Sequence, residues 1–256
     1  MRKLYEKSKL AFAIVWIVAY CVLMSVGDSL SEELGIAKSV TVLVGLVLSA
    51  TLLIFLKKNS LFDAYGLCRS KASAKSMLYY VPIFVMLTAN LWYGTTFNYG
   101  ALETVLYILA MLCVGFLEEM IFRGLLFEAM RKDSVKAAII VSSITFGIGH
   151  IINLFNGSGA ELIPNLLQVV YATAAGFMFV MIYYKTESLL GCIATHGVFN
   201  ALSVFANQAN ETPRMRILTA ILLTVITGSY AVYIALTLKG RNYEGHYTDK
   251  SSDENL

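Results

Sequence analysis

Three short stretches of this chain carry residue types capable of acid–base chemistry in otherwise apolar surroundings. The first runs from Gly115 to Gly124, where the adjacent carboxylates Glu118 and Glu119, and then Arg123, follow a segment uncharged from Thr104 to Leu117. In hydrocarbon each such charge costs about 2.5–3.5 kcal/mol on insertion scales, so each needs a partner or a function. On a helix Glu119 and Arg123, four apart, share a face and suit a carboxylate–guanidinium pair. Glu118 lies about 100° further round and escapes that contact. The spacing predicts one carboxylate held in place and the other left available for proton transfer.

The other two stretches place a histidine four residues from a possible companion: Phe146 with His150, and His196 with Asn200. Each pair shares a helical face. Taken singly, each group has a structural reading. Glu119 and Arg123 can be a structural ion pair, His150 a buried ring donating to a backbone carbonyl, His196 with Asn200 an interhelical hydrogen-bond pair, and Phe146 a packing residue or a wall of a site. Depth is what joins them. Counted from Arg131, Lys136 and Glu187 at the nearest charged helix ends, Glu118, His150 and Asn200 lie roughly 20, 21 and 20 Å deep, with His196 about one turn shallower. Gly115, Gly147, Gly149 and Gly197 beside them would let helices approach closely. A carboxylate, two imidazoles and an amide at one level point to a functional site.

Such a set fits the hydrolysis of an amide. A carboxylate shielded from bulk water is a stronger base, and Glu118 beside a neutral His150 could activate a water molecule. His196 and the Asn200 amide could stabilise the oxyanion of the tetrahedral intermediate. Alternatively Glu118, His150 and His196 are the candidate ligands of a zinc ion that acidifies the water. The His-Glu-x-x-His spacing of zinc peptidases is absent, and the reading leans towards metal-free chemistry.

The elements that must position these residues are transmembrane helices. Of the 256 residues 57% are hydrophobic and 14% charged, against about 25% charged in soluble domains, and the mean hydropathy is +0.67. Seven long uncharged runs, Leu10–Gly27, Ser39–Leu56, Ser76–Leu102, Ala137–Ala160, Leu162–Tyr184, Ser188–Asn210 and Ile217–Leu238, together with Thr104–Met130, read as about eight spans of an all-α polytopic bundle. The first run reads as a retained span rather than a cleaved signal peptide. Of the 20 Lys and Arg residues, only Lys38, Arg214 and Arg216 fall at one set of span ends; Arg123 lies within a span and the rest sit at the opposite ends. That asymmetry predicts cytoplasmic N- and C-termini. Residues 1–238 form a single membrane domain with its motif core at 104–205, and 239–256 read as a polar, disordered cytoplasmic tail. Ser29 or Ser31 is a candidate cap for the helix that follows the 28–38 loop. Gly157-Ser158-Gly159 reads as a turn rather than a nucleophile motif. The cysteines Cys21, Cys68, Cys113 and Cys192 show no disulfide or metal spacing. The basic 57–75 segment suits lipid headgroups, and no basic–aromatic nucleic-acid patch is present.

The ordered set Glu118-Glu119-x-x-x-Arg123, Phe146-x-x-x-His150 and His196-x-x-x-Asn200 resembles the CPBP (Abi) family, which includes CAAX prenyl endopeptidases and bacteriocin-processing or immunity proteins. The resemblance implies an intramembrane endopeptidase. In it Glu118 would act as base with His150, Glu119 and Arg123 would support them, His196 and Asn200 would hold the oxyanion, and Phe146 would shape the substrate site. It implies a membrane-associated peptide or protein substrate in the lipid bilayer, and the compact chain looks most like a member from a bacterial cytoplasmic membrane. Two other classes remain: a non-catalytic immunity or scaffold protein that binds a peptide or partner, and a proton-coupled transporter, although no inverted repeat is visible.

Overall fold

A computed structural model describes residues 1–155 and 161–237. The glycine–serine turn at 157–159 and the tail at 239–256 lie outside the described residues, as does His246. Within them the chain is helical, apart from turns and one isolated bridge between Thr95 and Ala206. After a short leading helix, Arg2–Lys7, come α1 (Lys9–Glu33), α2 (Ser39–Lys58), a short α3 (Val81–Leu87), α4 (Ala101–Met130), α5 (Val135–Gly149), α6 (Leu162–Thr186), α7 (Leu190–Leu202) and α8 (Pro213–Thr237). The protein is a multi-pass helical membrane protein. Among the described residues six helices are long and apolar enough to cross a bilayer: α1, α2, α4, α5 with its continuation to Leu154, α6 and α8.

The two remaining expected spans depart from a regular helix. Residues 76–102 do not form one long helix: 3-10 turns at Lys75–Tyr80 and Ala89–Leu91 flank the seven residues of α3. Pro82 sits in the first turn of α3, where its missing N–H does no harm, and Leu78, Tyr79 and Tyr80 before it take left-handed φ values of 48°, 50° and 59°. The broken segment still travels end to end beside α8. Tyr230 donates to Met77 O near one end, and Tyr93 donates to Met215 O near the other. Likewise the apolar stretch Leu190–Phe205, built on α7, is shorter than the six long helices, yet it joins Leu189, bonded to Gly66 O, to Val204 and Ala206, both bonded to Asn98.

The α1–α2 connection shows why the packing is tight at one end. Helix α1 continues through most of the expected 28–38 loop, so Ser31 lies inside it, and the Ser31 hydroxyl accepts the N–H groups of Val40 and Thr41 at 3.0 and 3.2 Å. Ser31 therefore caps α2 from a neighbouring helix, satisfying donors that the helix start leaves open. Along α1 the buried residues Phe12, Ala13, Trp16, Tyr20, Met24, Gly27 and Ser31 form one stripe at three- and four-residue spacing. Helix α4 lies at the centre, against α1, α2, α5 and α7.

Candidate active site

The middle of α4 changes its winding where the charges begin. Residues Ala101–Glu118 are α-helical, Glu119–Phe127 form a π-helical stretch, and α-helix resumes at Glu128. Runs of this type are rare and frequent at functional sites. All nine residues of the stretch are buried.

Glycines then bring α7 against α4. A Cβ on Gly115 would lie 2.5 Å from Gly197 Cα, a distance no side chain can occupy, so the two backbones touch there. Gly147 does the same for α5 and α6, since its Cβ would fall 2.9 Å from Thr173 Cα. Gly149 is different: nothing lies within 4 Å of its added Cβ, and close packing does not explain it.

This contact carries His196 to the two glutamates. Glu119 and Arg123 are fully buried and paired at 3.1 Å, as their spacing predicts. The same Glu119 Oε1 accepts His196 Nδ1–H at 2.8 Å. His196 Nε2 lies 3.3 Å from Glu118 Oε2, a close contact without hydrogen-bond alignment. Glu118 does lie outside the Glu119–Arg123 pair, but it is not left bare: Tyr20 donates to its Oε1 at 2.7 Å from α1. Sequence reasoning missed Tyr20 because the first span carries no charged motif. Its signal was its place in the buried stripe of α1, together with a hydroxyl that must find a partner in hydrocarbon.

Aromatic rings wall the charges. The Arg123 guanidinium lies 4.1 Å from the Phe146 ring centre and 5.6 Å from that of Phe179. Its Nε and Nη2 have no hydrogen-bond partner among the described residues; the face of Phe146 takes that role through cation–π attraction, worth about 2 kcal/mol or more when desolvated. The Phe146 ring also meets His150, His196 and Phe122 edge to face, with centroids 5.2, 5.6 and 5.5 Å apart. Phe179 of α6, another residue without a sequence motif, stacks on His196 at 5.5 Å.

His150 begins the 3-10 turn that continues α5, and its Nδ1 lies 3.1 Å from Phe146 O. A carbonyl only accepts, so Nδ1 carries a proton, and in its neutral form the ring presents a lone pair at Nε2. Asn165 of α6 anchors the same turn by donating to His150 O at 2.8 Å. Glu118, Phe146, His150 and Asn200 line one cavity of about 310 Å³, to which Tyr20 also contributes. His196 lines a smaller space of about 60 Å³ that shares Phe146, His150 and Asn200 with it. All seven residues singled out in the sequence thus meet in one region, Glu119 and Arg123 behind the cavity wall and the others on it.

A metal does not fit this donor set as placed. His196 has both ring nitrogens turned to glutamates, so of the two span histidines only His150, through Nε2, is free to ligate. Among the described residues no group of three or more His, Cys, Asp or Glu side chains stands at metal-binding geometry.

Residues 100–202 match the model of the family described as type II CAAX prenyl endopeptidase Rce1-like. The motif-bearing segment is thus similar to that family. The match begins at the start of α4 and ends with α7, so it takes in both carboxylates, Arg123, both span histidines and Asn200, and it agrees with the resemblance to CAAX proteases drawn from the motifs. Tyr20, on α1, lies outside the Rce1-like segment. Among curated proteins and among solved structures nothing matches the chain.

Proposed function

We propose that this protein is an intramembrane endopeptidase of a bacterial cytoplasmic membrane that hydrolyses a peptide bond with water activated by Glu118 and His150. The observation that carries the reading is the convergence of Glu118, His150 and Asn200 on one cavity inside an apolar bundle, with Tyr20 fixing the carboxylate and His196 beside it. The match of residues 100–202 to the Rce1-like family model supports it.

In this mechanism a water molecule between Glu118 and His150 Nε2 attacks the scissile carbonyl carbon, and its proton passes to Glu118. The carbonyl π pair moves onto oxygen. The Asn200 amide donates to that oxyanion, and a protonated His196 Nε2 does so once Glu118, having taken the proton of water, no longer attracts it as a carboxylate. When the intermediate collapses the C–N bond breaks and the proton on Glu118 goes to the leaving amine, so no acyl-enzyme forms. Glu119 and Arg123 work at one remove: the Glu119 carboxylate fixes His196 through Nδ1, and Arg123 balances that buried charge. Phe146 packs on both imidazoles and bounds the space for substrate.

The test is cleavage of membrane-anchored peptides by purified protein in nanodiscs, with Glu118→Gln as comparison. Loss of cleavage in a folded Glu118→Gln variant supports the reading; undiminished cleavage removes it.

A further inference from the structure

The catalytic cavity has a definite opening. The 310 Å³ space reaches Asp28, Lys38 and Asn153, which lie at the end of the bundle where α1, α5 and α7 finish and α2, α4, α6 and α8 begin. A second space of about 490 Å³ continues it at that same end, sharing Asn90, Tyr107, Gln168, Tyr171, Phe199 and Ser203, and extends to Asn207, Gln208 and Arg216. This is also the end poor in cations. It carries Lys38, Arg214 and Arg216, and two of these are paired, Lys38 with Asp28 at 2.8 Å and Arg216 with Glu211 at 3.3 Å. The opposite end holds Arg2, Lys3, Lys7, Lys9, Lys57, Lys58, Arg69, Lys71, Lys75, Arg131, Lys132, Lys136 and Lys185 among the described residues. Cations are retained on the cytoplasmic side of short loops.

The outer space is lined by amides and tyrosines, Asn90, Gln168, Asn207, Gln208, Tyr93 and Tyr171 among them, interspersed with aliphatic side chains such as Leu167 and Leu223. Asn165 is buried beside it and donates its Nδ2 to His150 O, which ties the wall of the outer space to the turn that carries His150.

We infer, on the proteolytic reading above, that the active-site cavity opens away from the cytoplasm and receives the extracytoplasmic segment of a membrane-anchored peptide. The substrate is thus a chain already translocated across the bilayer, and the reaction that supplies it is export.

Two measurements test this separately from catalysis. In a Cys68→Ala background, Ala209→Cys marks the cavity end and Ala74→Cys the opposite end; both positions are exposed. A membrane-impermeant maleimide should label Ala209→Cys in intact cells and Ala74→Cys only after permeabilisation. The reverse pattern overturns the orientation whether or not the protein is a protease. A randomised peptide library, tethered to one leaflet by an N-terminal acyl chain, is then offered on either face of sealed proteoliposomes whose orientation the same labelling has fixed. Cleavage confined to the face bearing residue 209, and absent with Glu118→Gln, supports the inference. Cleavage confined to the other face overturns it. No cleavage on either face, with labelling as expected, removes the proteolytic reading and the substrate assignment while the orientation stands.

Discussion

Tyr20 on α1 donates a 2.7 Å hydrogen bond to Glu118 on α4, tying a span without any motif to the carboxylate on which the proposed chemistry turns. The bond occupies Oε1 and orients the carboxylate so that Oε2 lies 3.3 Å from His196 Nε2. A hydrogen bond to a charged group contributes about 1.5–3 kcal/mol, which corresponds to roughly ten- to a hundredfold in rate if it is felt in the transition state. Tyr20→Phe should therefore keep its fold and lower kcat by that factor with little change in KM. Steady-state kinetics on any cleaved peptide, beside a thermal melt in detergent, checks it; an unaltered kcat would show that Tyr20 only packs.

Arg123 and Glu119 should behave as a pair whose members cannot be removed singly. Arg123→Ala leaves the Glu119 carboxylate fully buried with only His196 beside it. Breaking a buried pair from one side typically costs about 3–5 kcal/mol. Arg123→Lys should recover only part of this, because an ammonium lacks the flat surface that lies on Phe146. The expected order of melting temperatures is wild type, then Arg123→Lys, then Arg123→Ala. Equal melting of the lysine variant and wild type would mean that charge alone matters.

The α4–α7 contact makes a third prediction. Gly115→Val must push Gly197 away, since its first side-chain atom alone would fall 2.5 Å from Gly197 Cα. Moving α7 withdraws His196 from Glu119, so activity should fall below detection even where the protein still inserts and purifies. Gly191→Ala on the same helix has nothing within 4 Å and should be neutral or slightly stabilising, by up to about 1 kcal/mol. Normal activity in Gly115→Val would separate the backbone contact from the site.

How far the site could be read from sequence depended on whether its parts are local. Glu119 with Arg123 and His150 with Phe146 are pairs within one helix or its first continuing turn, and four-residue spacing states them directly. The level shared by Glu118, His150 and Asn200 follows from helical rise, and the cavity they line agrees with it. Tyr20, Phe179 and Asn165 reach the site from α1 and α6, across contacts that no spacing encodes. The His196–Glu119 bond was hidden for the same reason: spacing paired His196 with Asn200, whereas the Gly115–Gly197 approach turns its ring to Glu119. Hydropathy found every long helix. It took 76–102 for one more because composition is blind to three consecutive left-handed residues ahead of Pro82.

The most direct measurement of the central claim compares wild type, Glu118→Gln and His150→Ala in nanodiscs with a pool of membrane-anchored peptides, followed by mass spectrometry with and without a chelator. The account predicts new peptide termini with wild type, their loss in both folded variants, and their persistence in chelator, since the site as arranged offers no three-ligand set. Glu118→Gln that melts like wild type and still cleaves would contradict it.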